Sequence, residues 1–269
     1  MIYPICAETC AEAWLKTATK LLTFKGRAAY NVILDINDPL ALTPVDKAVV
    51  QKVDDFLSTH DTDPVSTVAG TIFPAAHYKK QGAAGVYTTF PEKVYPKVRS
   101  GWGDTYAGRM LRRSGKKGAV INPLELLVDK LKKQLTRTTP LGRAYELGFT
   151  ETPLELPIYD VALDGTRTTP QPCLSHVSFK VVNGEALMLT ALYRSHYYIQ
   201  RALGNLIGLA QLQYFVANEV GLSVGELVCH SSYACVEAGS KWKINEAKAL
   251  ISECNTLVAN TVDSLTEVG

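Results

Sequence analysis

The chain has 269 residues, of which 46% are hydrophobic and 20% are charged, and its formal net charge is +2. This composition is typical of a globular protein with a substantial apolar core. A charge close to zero gives no reason to expect a nucleic-acid polymer as partner, and no apolar run approaches the ~18–20 residues that span a bilayer. Six cysteines in a chain of this length do not form a disulfide scaffold, and the amino terminus lacks the pattern of a signal peptide, so we expect a cytoplasmic protein.

The amino-terminal half predicts several helices and one strand. Apolar residues at helical spacing predict helices over residues 7–23, 44–59, 64–72, 104–113 and 122–137. An apolar, partly β-branched run predicts a strand over residues 29–36. The stretch from 75 to 101 is rich in Gly, Tyr, Pro and Lys, and it predicts no clear element.

The carboxy-terminal half begins with the strongest local signal. Asn183-Gly184 lies between two alternating runs, 173–182 and 186–195, which is typical of a β-hairpin with a tight turn. The later elements are a buried helix that is apolar on all sides, a strand and an amphipathic helix, over residues 201–221, 226–236 and 241–258. The order β-β-α-β-α predicts one compact α/β or α+β domain, which we place over residues 1–269.

Two cysteine patterns allow a metal interpretation. One is Cys229-His230 with Cys235, and the other is the pair Cys6 and Cys10. A zinc site usually combines two closely spaced Cys or His elements, which neither pattern does. Cys6 and Cys10 are also one helical turn apart, where one apolar helix face would bury both thiols. We therefore expect no metal site.

Five short motifs follow one another between residues 171 and 237. They are Gln171-Pro172-Cys173, Asn183-Gly184, Arg194-Ser195, Leu203-Gly204-Asn205 and Val224-Gly225-Glu226-Leu227-Val228. In order and spacing they resemble the catalytic core of the thymidylate synthases and the related pyrimidine hydroxymethylases. The resemblance implies a single α/β (α+β) domain of thymidylate synthase type, with a mixed sheet, flanking helices and a homodimer that packs sheet against sheet. The chain looks like a divergent, carboxy-terminally short member of that family.

The resemblance implies a role for four residues in chemistry at C5 of a pyrimidine ring. Cys173 matches the nucleophile whose thiolate adds to C6, which enables C5 to attack a one-carbon donor. Arg194 matches the arginine that contacts both the thiolate and the nucleotide phosphate, and Ser195 matches a phosphate-binding serine. Asn205 matches the residue whose amide binds the base edge. In the family, asparagine accompanies uracil and an acid accompanies cytosine.

The resemblance also implies a cofactor and partners. The one-carbon donor would be 5,10-methylenetetrahydrofolate, and the acceptor would be a pyrimidine 5′-monophosphate: UMP, dUMP, CMP or dCMP. Arginines of the partner subunit bind the phosphate in the family, and Arg143 is the first candidate for that role, with Arg137 second. The element Trp102-Gly103 with Tyr106 faintly resembles another family segment and receives no role.

Some positions depart from the family pattern. Tyr197 stands where the family has an aspartate that orients the folate. Cys235 and Glu237 stand where the family has a histidine and a tyrosine that hold the deoxyribose hydroxyl. These changes allow three interpretations: a changed sugar, with Glu237 accepting a hydrogen bond from a ribose hydroxyl; a hydroxymethyl product; or loss of the transfer step.

We therefore predict transfer of a methyl or hydroxymethyl group to C5 of a pyrimidine nucleotide. Two other classes stay open: a non-catalytic nucleotide-binding module, and an interaction protein on a degenerate scaffold, whose activity Cys173→Ala would leave unchanged. The single residues also have simpler explanations, namely a buried structural Cys173, a surface Arg194 and an Asn205 that caps its helix.

Overall fold

A computed structural model describes residues 4–102, 104–114, 118–136, 155–159, 164–165 and 172–266. The chain divides into two compact units, each drawn from separated stretches. The first unit comprises residues 1–69, 193–207 and 227–269, and the second comprises residues 70–192 and 208–226. The placement of one domain over residues 1–269 stays a prediction.

The described helices are, in chain order, α1 (Cys10–Leu22), α2 (Pro44–Thr59), α3 (Val65–Ile72), α4 (Ala75–Ala84), α5 (Tyr95–Trp102), α6 (Tyr106–Leu111), α7 (Pro123–Leu135), α8 (Leu203–Val220) and α9 (Ile244–Thr266). Wider π-type turns occupy Gly85–Val94 and Tyr198–Ala202, and a short 3₁₀ turn occupies Lys25–Arg27. In the part of the chain that the structure describes, none of the helices combines the length and apolarity that a membrane crossing requires.

The described strands are, in chain order, β1 (Ile5–Ala7), β2 (Ala28–Ile36), β3 (Arg113–Ser114), β4 (Val120–Ile121), β5 (Glu155–Pro157), β6 (Leu174–Val182), β7 (Ala186–Tyr193), β8 (His196–Tyr197) and β9 (Ser223–Cys235). The predicted strand over 29–36 and the predicted helices over 44–59 and 64–72 are confirmed as β2, α2 and α3. The predicted terminal helix over 241–258 is longer in the structure, as α9.

The first unit contains a mixed sheet. Strand β1 runs parallel to β2, and β2 runs antiparallel to β9, with Ala28 opposite Cys235 and Ile36 opposite Leu227. The short β8 runs parallel to β9. Helix α1 packs against β1 and β2, and α9 packs against α1 and α2. The predicted class, a mixed sheet with flanking helices, is therefore confirmed.

Strand β2 presents one face to the core and leaves the other open. Alternation buries every second side chain, but the alternation changes phase at Asn31, whose φ is 55°. Ala29 is buried before this point and Val32 after it, so Tyr30 and Asn31 are both exposed. Tyr30 is 73% exposed and its ring lies 5.5 Å from that of Tyr233, its neighbour on β9. We call the outward side of β2 and β9 the open face.

Helix α1 begins later than the sequence predicts. Thr9 is its N-cap and accepts a hydrogen bond from the N–H of Glu12, so the helix starts at Cys10 rather than at residue 7. Cys6 lies in β1 and is exposed, whereas Cys10 is buried. The expectation that one helix face buries both thiols is therefore wrong.

The second unit is built on the predicted hairpin. Strands β6 and β7 are neighbours, and β5 pairs antiparallel with β6. The turn between β6 and β7 has positive φ at both central residues, 53° at Asn183 and 76° at Gly184, as a type I′ turn requires. The buried Gln213 of α8 donates hydrogen bonds from Nε2 to the carbonyl oxygens of Leu187 and Gly225, each at 2.8 Å. This amide links the helix to the two strands within the unit.

The stretch from 75 to 101, for which the sequence predicts no element, is helical in the structure. Two residues hide its periodicity: Gly82 has φ of 61°, and Pro91 lies inside the π-type turn. The carbonyl oxygen of Pro91 accepts a hydrogen bond from Nη1 of Arg112 at 3.1 Å. Local helix signals fail here because a glycine at positive φ and a proline interrupt the pattern on which such signals depend.

Candidate functional site

Cys173 lies directly before β6 and is half-buried. Its backbone N–H donates to the hydroxyl oxygen of Tyr106 at 3.1 Å, and the N–H of Leu174 donates to the same oxygen at 3.3 Å. Tyr106 is the first residue of α6, whose start Thr105 caps by accepting the N–H of Gly108. The start of one helix thus holds the backbone of the candidate nucleophile. The sequence motif that contains Tyr106 is too weak to predict a role for this residue.

The other cysteines divide into exposed and buried thiols. Burial raises the pKa of Cys10, and it raises the pKa of Cys229 to about 12 and those of Cys235 and Cys254 to about 11 each. These four thiols are therefore protonated near neutral pH and poor nucleophiles. The simpler explanation for Cys173, a buried structural cysteine, does not fit a residue that is half-buried.

Arg194 and Ser195 directly precede β8 and belong to the first unit. Arg194 is exposed and Ser195 is half-buried. His196 follows them directly and is buried. The phosphate-binding role of Arg194 and Ser195 stays a prediction.

Asn205 is the third residue of α8 and is only 5% exposed. A helical turn, Tyr198–Ala202, runs directly into α8, so Asn205 lies inside helical structure. The alternative that Asn205 caps the helix is therefore wrong. Trp14 of α1 is fully buried and donates a hydrogen bond from Nε1 to the carbonyl oxygen of Tyr198 at 2.7 Å. This bond holds the start of the turn that precedes α8.

The side chain of Asn205 is bound to His196. The amide Nδ2 of Asn205 lies 3.0 Å from Nε2 of His196, and Nδ1 of His196 lies 3.0 Å from the hydroxyl of Ser231. The imidazole stacks on the ring of Tyr193, with ring centroids 4.1 Å apart and planes 3° from parallel. Burial lowers the pKa of His196 to about 3, so the ring is neutral near pH 7.

Sequence reasoning missed both His196 and Ser231. The available signals were a histidine directly after the Arg-Ser motif and the alternation of β9, which places Cys229 and Ser231 on the core face. Neither signal identifies a contact, because Ser231 and His196 lie far apart in the chain.

Glu237 has partners for both carboxylate oxygens. Oε1 accepts the backbone N–H of Gln200 at 2.8 Å, and Oε2 accepts that of Ile199 at 3.2 Å. These N–H groups open the turn before α8, so the carboxylate acts as its cap. Burial raises the pKa of Glu237. Its predicted contact with a sugar hydroxyl stays a prediction, and such a hydroxyl would share the oxygens with these two N–H groups.

The described residues bear differently on the candidate partner-subunit arginines and on the metal interpretation of the cysteine patterns. Arg143 and Arg137 lie outside them. Over residues 4–102, 104–114, 118–136, 155–159, 164–165 and 172–266, no group of three or more His, Cys, Asp and Glu side chains is placed to hold a metal ion. Cys229 is buried, whereas His230 on the opposite face of β9 contacts Asn31 at 3.2 Å.

The mixed sheet with flanking helices is consistent with a thymidylate synthase-type fold. The chain is similar to a curated protein of Methanothermobacter marburgensis named "Putative thymidylate synthase", at 26% identity over 265 residues, which cover 93% of this chain and 99% of that protein. A protein of the same name from Methanothermobacter thermautotrophicus is 41% identical over 68 residues, 25% of this chain and 30% of that protein. No family model matches the chain. Over most of its length the chain is thus similar to a protein named as a thymidylate synthase, which supports the resemblance that its ordered motifs carry.

Proposed function

We propose that this protein transfers a one-carbon unit, as methyl or hydroxymethyl, to C5 of a pyrimidine nucleoside 5′-monophosphate. The acceptors to consider are UMP, dUMP, CMP and dCMP. The observation that carries the proposal is the similarity over 93% of the chain to a protein named as a thymidylate synthase, in a chain that has the ordered motifs between residues 171 and 237.

Cys173 is the proposed nucleophile. Its thiolate forms a bond to C6, and the electron pair of the C5–C6 double bond moves to C5 and into the ring carbonyl. C5 then attacks the electrophilic carbon of a one-carbon donor and loses its proton as the donor's carrier departs, which leaves a methylene group on C5. A hydride supplied by the reduced carrier, or water, adds to this methylene to give the methyl or hydroxymethyl group, and the Sγ–C6 bond breaks to restore the ring double bond. The hydrogen bonds from Cys173 and Leu174 to Tyr106 support this role, because they fix the backbone that carries the thiol.

Arg194, Ser195 and Asn205 are the proposed substrate-binding residues. Arg194 and Ser195 would bind the phosphate, because a guanidinium and a hydroxyl match its oxygens. Arg143 would add to this from the partner subunit of a homodimer. Asn205 would bind the base through its amide, which offers a donor beside an acceptor. The near-complete burial of Asn205 supports a role in recognition, because a buried amide is costly unless its polar atoms are paired.

The resemblance implies 5,10-methylenetetrahydrofolate as donor, and one position does not fit it. The family orients the folate with a carboxylate, whereas Tyr197 of β8 has a single hydroxyl and is 46% exposed. A phenol cannot accept two hydrogen bonds in the manner of a carboxylate. The proposed steps therefore assign no residue to folate, and the tritium-release assay with and without methylenetetrahydrofolate identifies the donor.

The proposed homodimer uses the open face of the first unit. Tyr30 is the most exposed aromatic side chain among the described residues that are large and apolar, and Tyr233 packs beside it. Ile33 and Val228 on the same strands are only half-buried. An aromatic and aliphatic sheet face of this kind favours burial against a second copy.

The proposal is tested by release of tritium from 5-³H-labelled UMP, dUMP, CMP and dCMP, with and without methylenetetrahydrofolate. Exchange of the C5 proton reports addition at C6 even where transfer fails. We expect release from the wild type and none from Cys173→Ala. The matched control is Cys6→Ala, because Cys6 is an exposed thiol in the first unit, and this variant should retain full release.

Each outcome of this assay has a separate meaning. Release that depends on Cys173 supports the mechanism, and release that increases with folate identifies the donor. Nucleotide binding without release from any of the four substrates would contradict the transfer reaction and support the nucleotide-binding module. Equal release from Cys173→Ala and wild type would exclude Cys173 as nucleophile.

A further inference from the structure

We propose that the first unit binds a small organic amine in a cleft between helices α1, α2 and α9. The cleft has a volume of about 320 Å³, at the lower end of the ~300–1,000 Å³ that is typical of ligand pockets. We call it the helix cleft, and its lining comes from residues 8–16, 43–49 and 255–258. The proposal does not depend on the transfer reaction, because Arg194 and Asn205 do not line the cleft.

Apolar side chains from all three helices line the helix cleft. Ala11 and Leu15 lie one turn apart on α1, and Val45 and Val49 lie one turn apart on α2. Val258 adds a third apolar wall from α9. Burial of an aliphatic or aromatic group between these walls removes apolar surface from water, which favours a ligand with an apolar body.

Polar contacts join the three helices on either side of the helix cleft. Thr9, which caps α1, donates its hydroxyl to Oδ1 of Asp46 on α2 at 2.7 Å, and this bond is buried. Asn255 of α9 donates from Nδ2 to the hydroxyl oxygen of Thr19 on α1 at 2.9 Å. Helix α9 also packs directly against α1 and α2. The cleft is therefore formed before a ligand binds, and binding does not require the helices to separate.

The polar side chains of the helix cleft leave acceptors free and use most of their donors. Thr9 and Thr43 each donate a hydroxyl proton to Asp46 at 2.7 Å. The amide nitrogen of Asn255 donates two hydrogen bonds, each of 2.9 Å. By contrast, Oε2 of Glu8 and Oδ1 of Asn255 have no partner among the described residues. These free oxygens suit a ligand that donates hydrogen bonds.

The charges that line the helix cleft favour a cation. Three carboxylates, those of Glu8, Glu12 and Asp46, are opposed by one ammonium group, that of Lys16. This ammonium pairs with Glu12 at 2.7 Å and donates to the carbonyl oxygen of Cys6 at 3.1 Å. Glu8 is exposed and has no cationic partner among the described residues. An ammonium group on the ligand would supply both the charge and the donors that Glu8 lacks.

An anionic ligand has less support. The helix dipoles place partial positive charge at the starts of α1 and α2, which attracts negative charge. Each start already has an acidic residue in its first turn, Glu12 in α1 and Asp46 in α2, and a threonine hydroxyl as its cap. A carboxylate ligand would therefore meet two carboxylates at these positions and a third at Glu8. A neutral alcohol would bury the same apolar body without the attraction of opposite charge.

The test titrates the full-length chain at neutral pH with three probes of similar size and different charge: hexylamine, hexanol and hexanoate. Methyl NMR of protein labelled at alanine, leucine and valine follows the signals of Ala11, Leu15, Val45, Val49 and Val258. We expect hexylamine to shift these signals and to bind about two- to fivefold more tightly than hexanol, which is the scale of an exposed charge pair. Hexanoate should bind more weakly than hexanol. Butylamine, with two fewer methylene groups to bury, should bind about tenfold more weakly than hexylamine.

Two variants separate the charge of the helix cleft from its volume. Glu8→Gln removes the charge and keeps an oxygen for the amide of Asn37, so it should remove the preference for hexylamine and leave the affinity for hexanol unchanged. The matched control is Asp55→Asn, which removes an exposed charge of α2 outside the cleft and should keep the preference. Val45→Trp fills the cleft and should abolish binding of every probe.

Three results would overturn the proposal. They are the absence of shifts at the lining methyl groups with hexylamine, an affinity for hexanoate equal to that for hexylamine, and a preference for hexylamine that Glu8→Gln leaves unchanged. None of these measurements involves a nucleotide, so their outcome is independent of the proposed transfer reaction.

Discussion

The Nδ2 atom of Asn205 lies 3.0 Å from Nε2 of His196, although the sequence resemblance assigns a role to Asn205 alone. This contact makes the candidate base-binding residue part of the buried core of the first unit. The remaining side of His196 is bound by Ser231 and its face is covered by Tyr193. The candidate site therefore depends on side chains that no short motif includes.

Tyr106→Phe should slow the reaction more than it weakens substrate binding. The change removes the acceptor of the N–H groups of Cys173 and Leu174, each bond contributing about 1 kcal/mol to stability. We expect kcat to fall about tenfold, with KM nearly unchanged, because the thiol is less well placed. The control Tyr214→Phe removes an exposed hydroxyl and should leave kcat unchanged. A change in KM alone would argue that Tyr106 contacts the substrate instead.

Gly204→Ala should destabilise the protein and disturb Asn205. A Cβ at Gly204 would lie 2.6 Å from Cβ of Val68 and 2.8 Å from the carbonyl oxygen of Val65. Such overpacking costs about 1–3 kcal/mol. Gly70→Ala is the matched control, because a Cβ there meets nothing within 4 Å and alanine favours a helix by up to about 1 kcal/mol. Urea denaturation should therefore give opposite signs for the two variants, and equal signs would contradict the close helix packing at Gly204.

Stability should fall on acidification partly because His196 is buried as a neutral ring. Its pKa is about 3 in the folded protein and near 6.5 in the unfolded chain, so the unfolded state binds more protons between these values. This contribution is fully present above pH 6.5 and is lost as the pH falls toward 3. Denaturation at several pH values should show a shallower slope for His196→Gln, by at most about 1.4 kcal/mol per pH unit.

His60 provides a control of opposite sign. A hydrogen bond with the carbonyl of Phe56 raises the pKa of His60, so its contribution is present at low pH and is lost as the pH rises. His60→Gln should therefore steepen the loss of stability in acid. A slope for His196→Gln equal to that of the wild type would show that folding does not lower the pKa of His196.

Tyr30→Asp should weaken the proposed homodimer. The substitution places a charge on the open face, where Tyr30 packs beside Tyr233. We expect sedimentation to show a dimer for the wild type and a mostly monomeric variant at micromolar concentration, because an unpaired charge is costly to bury. The control Tyr214→Asp changes an exposed tyrosine elsewhere and should stay dimeric. A wild type that is monomeric at all concentrations would refute this interface.

The elements that the sequence predicts well are those fixed by neighbouring residues. Asn183-Gly184 defines its hairpin because both residues adopt positive φ, and Thr43 with Asp46 defines the start of α2 by a capping box. The contact of Glu237 with Ile199 and Gln200, and that of Ser231 with His196, join residues 30 or more positions apart. Periodicity and motif spacing carry no information on such pairs. The contacts that hold the candidate site residues in place therefore become visible only in the structure.

The proposed function depends first on the bond between Cys173 and C6 of the pyrimidine. A 5-fluoro nucleotide tests it, because fluorine at C5 replaces the proton whose loss lets the Sγ–C6 bond break, so the adduct accumulates. After incubation with 5-fluoro-dUMP or 5-fluoro-UMP and the donor, the protein is denatured, digested and examined by mass spectrometry. We expect the peptide that contains Cys173 to carry the nucleotide. Binding of the nucleotide without any adduct, or an adduct on Cys6 instead, would contradict the proposed mechanism.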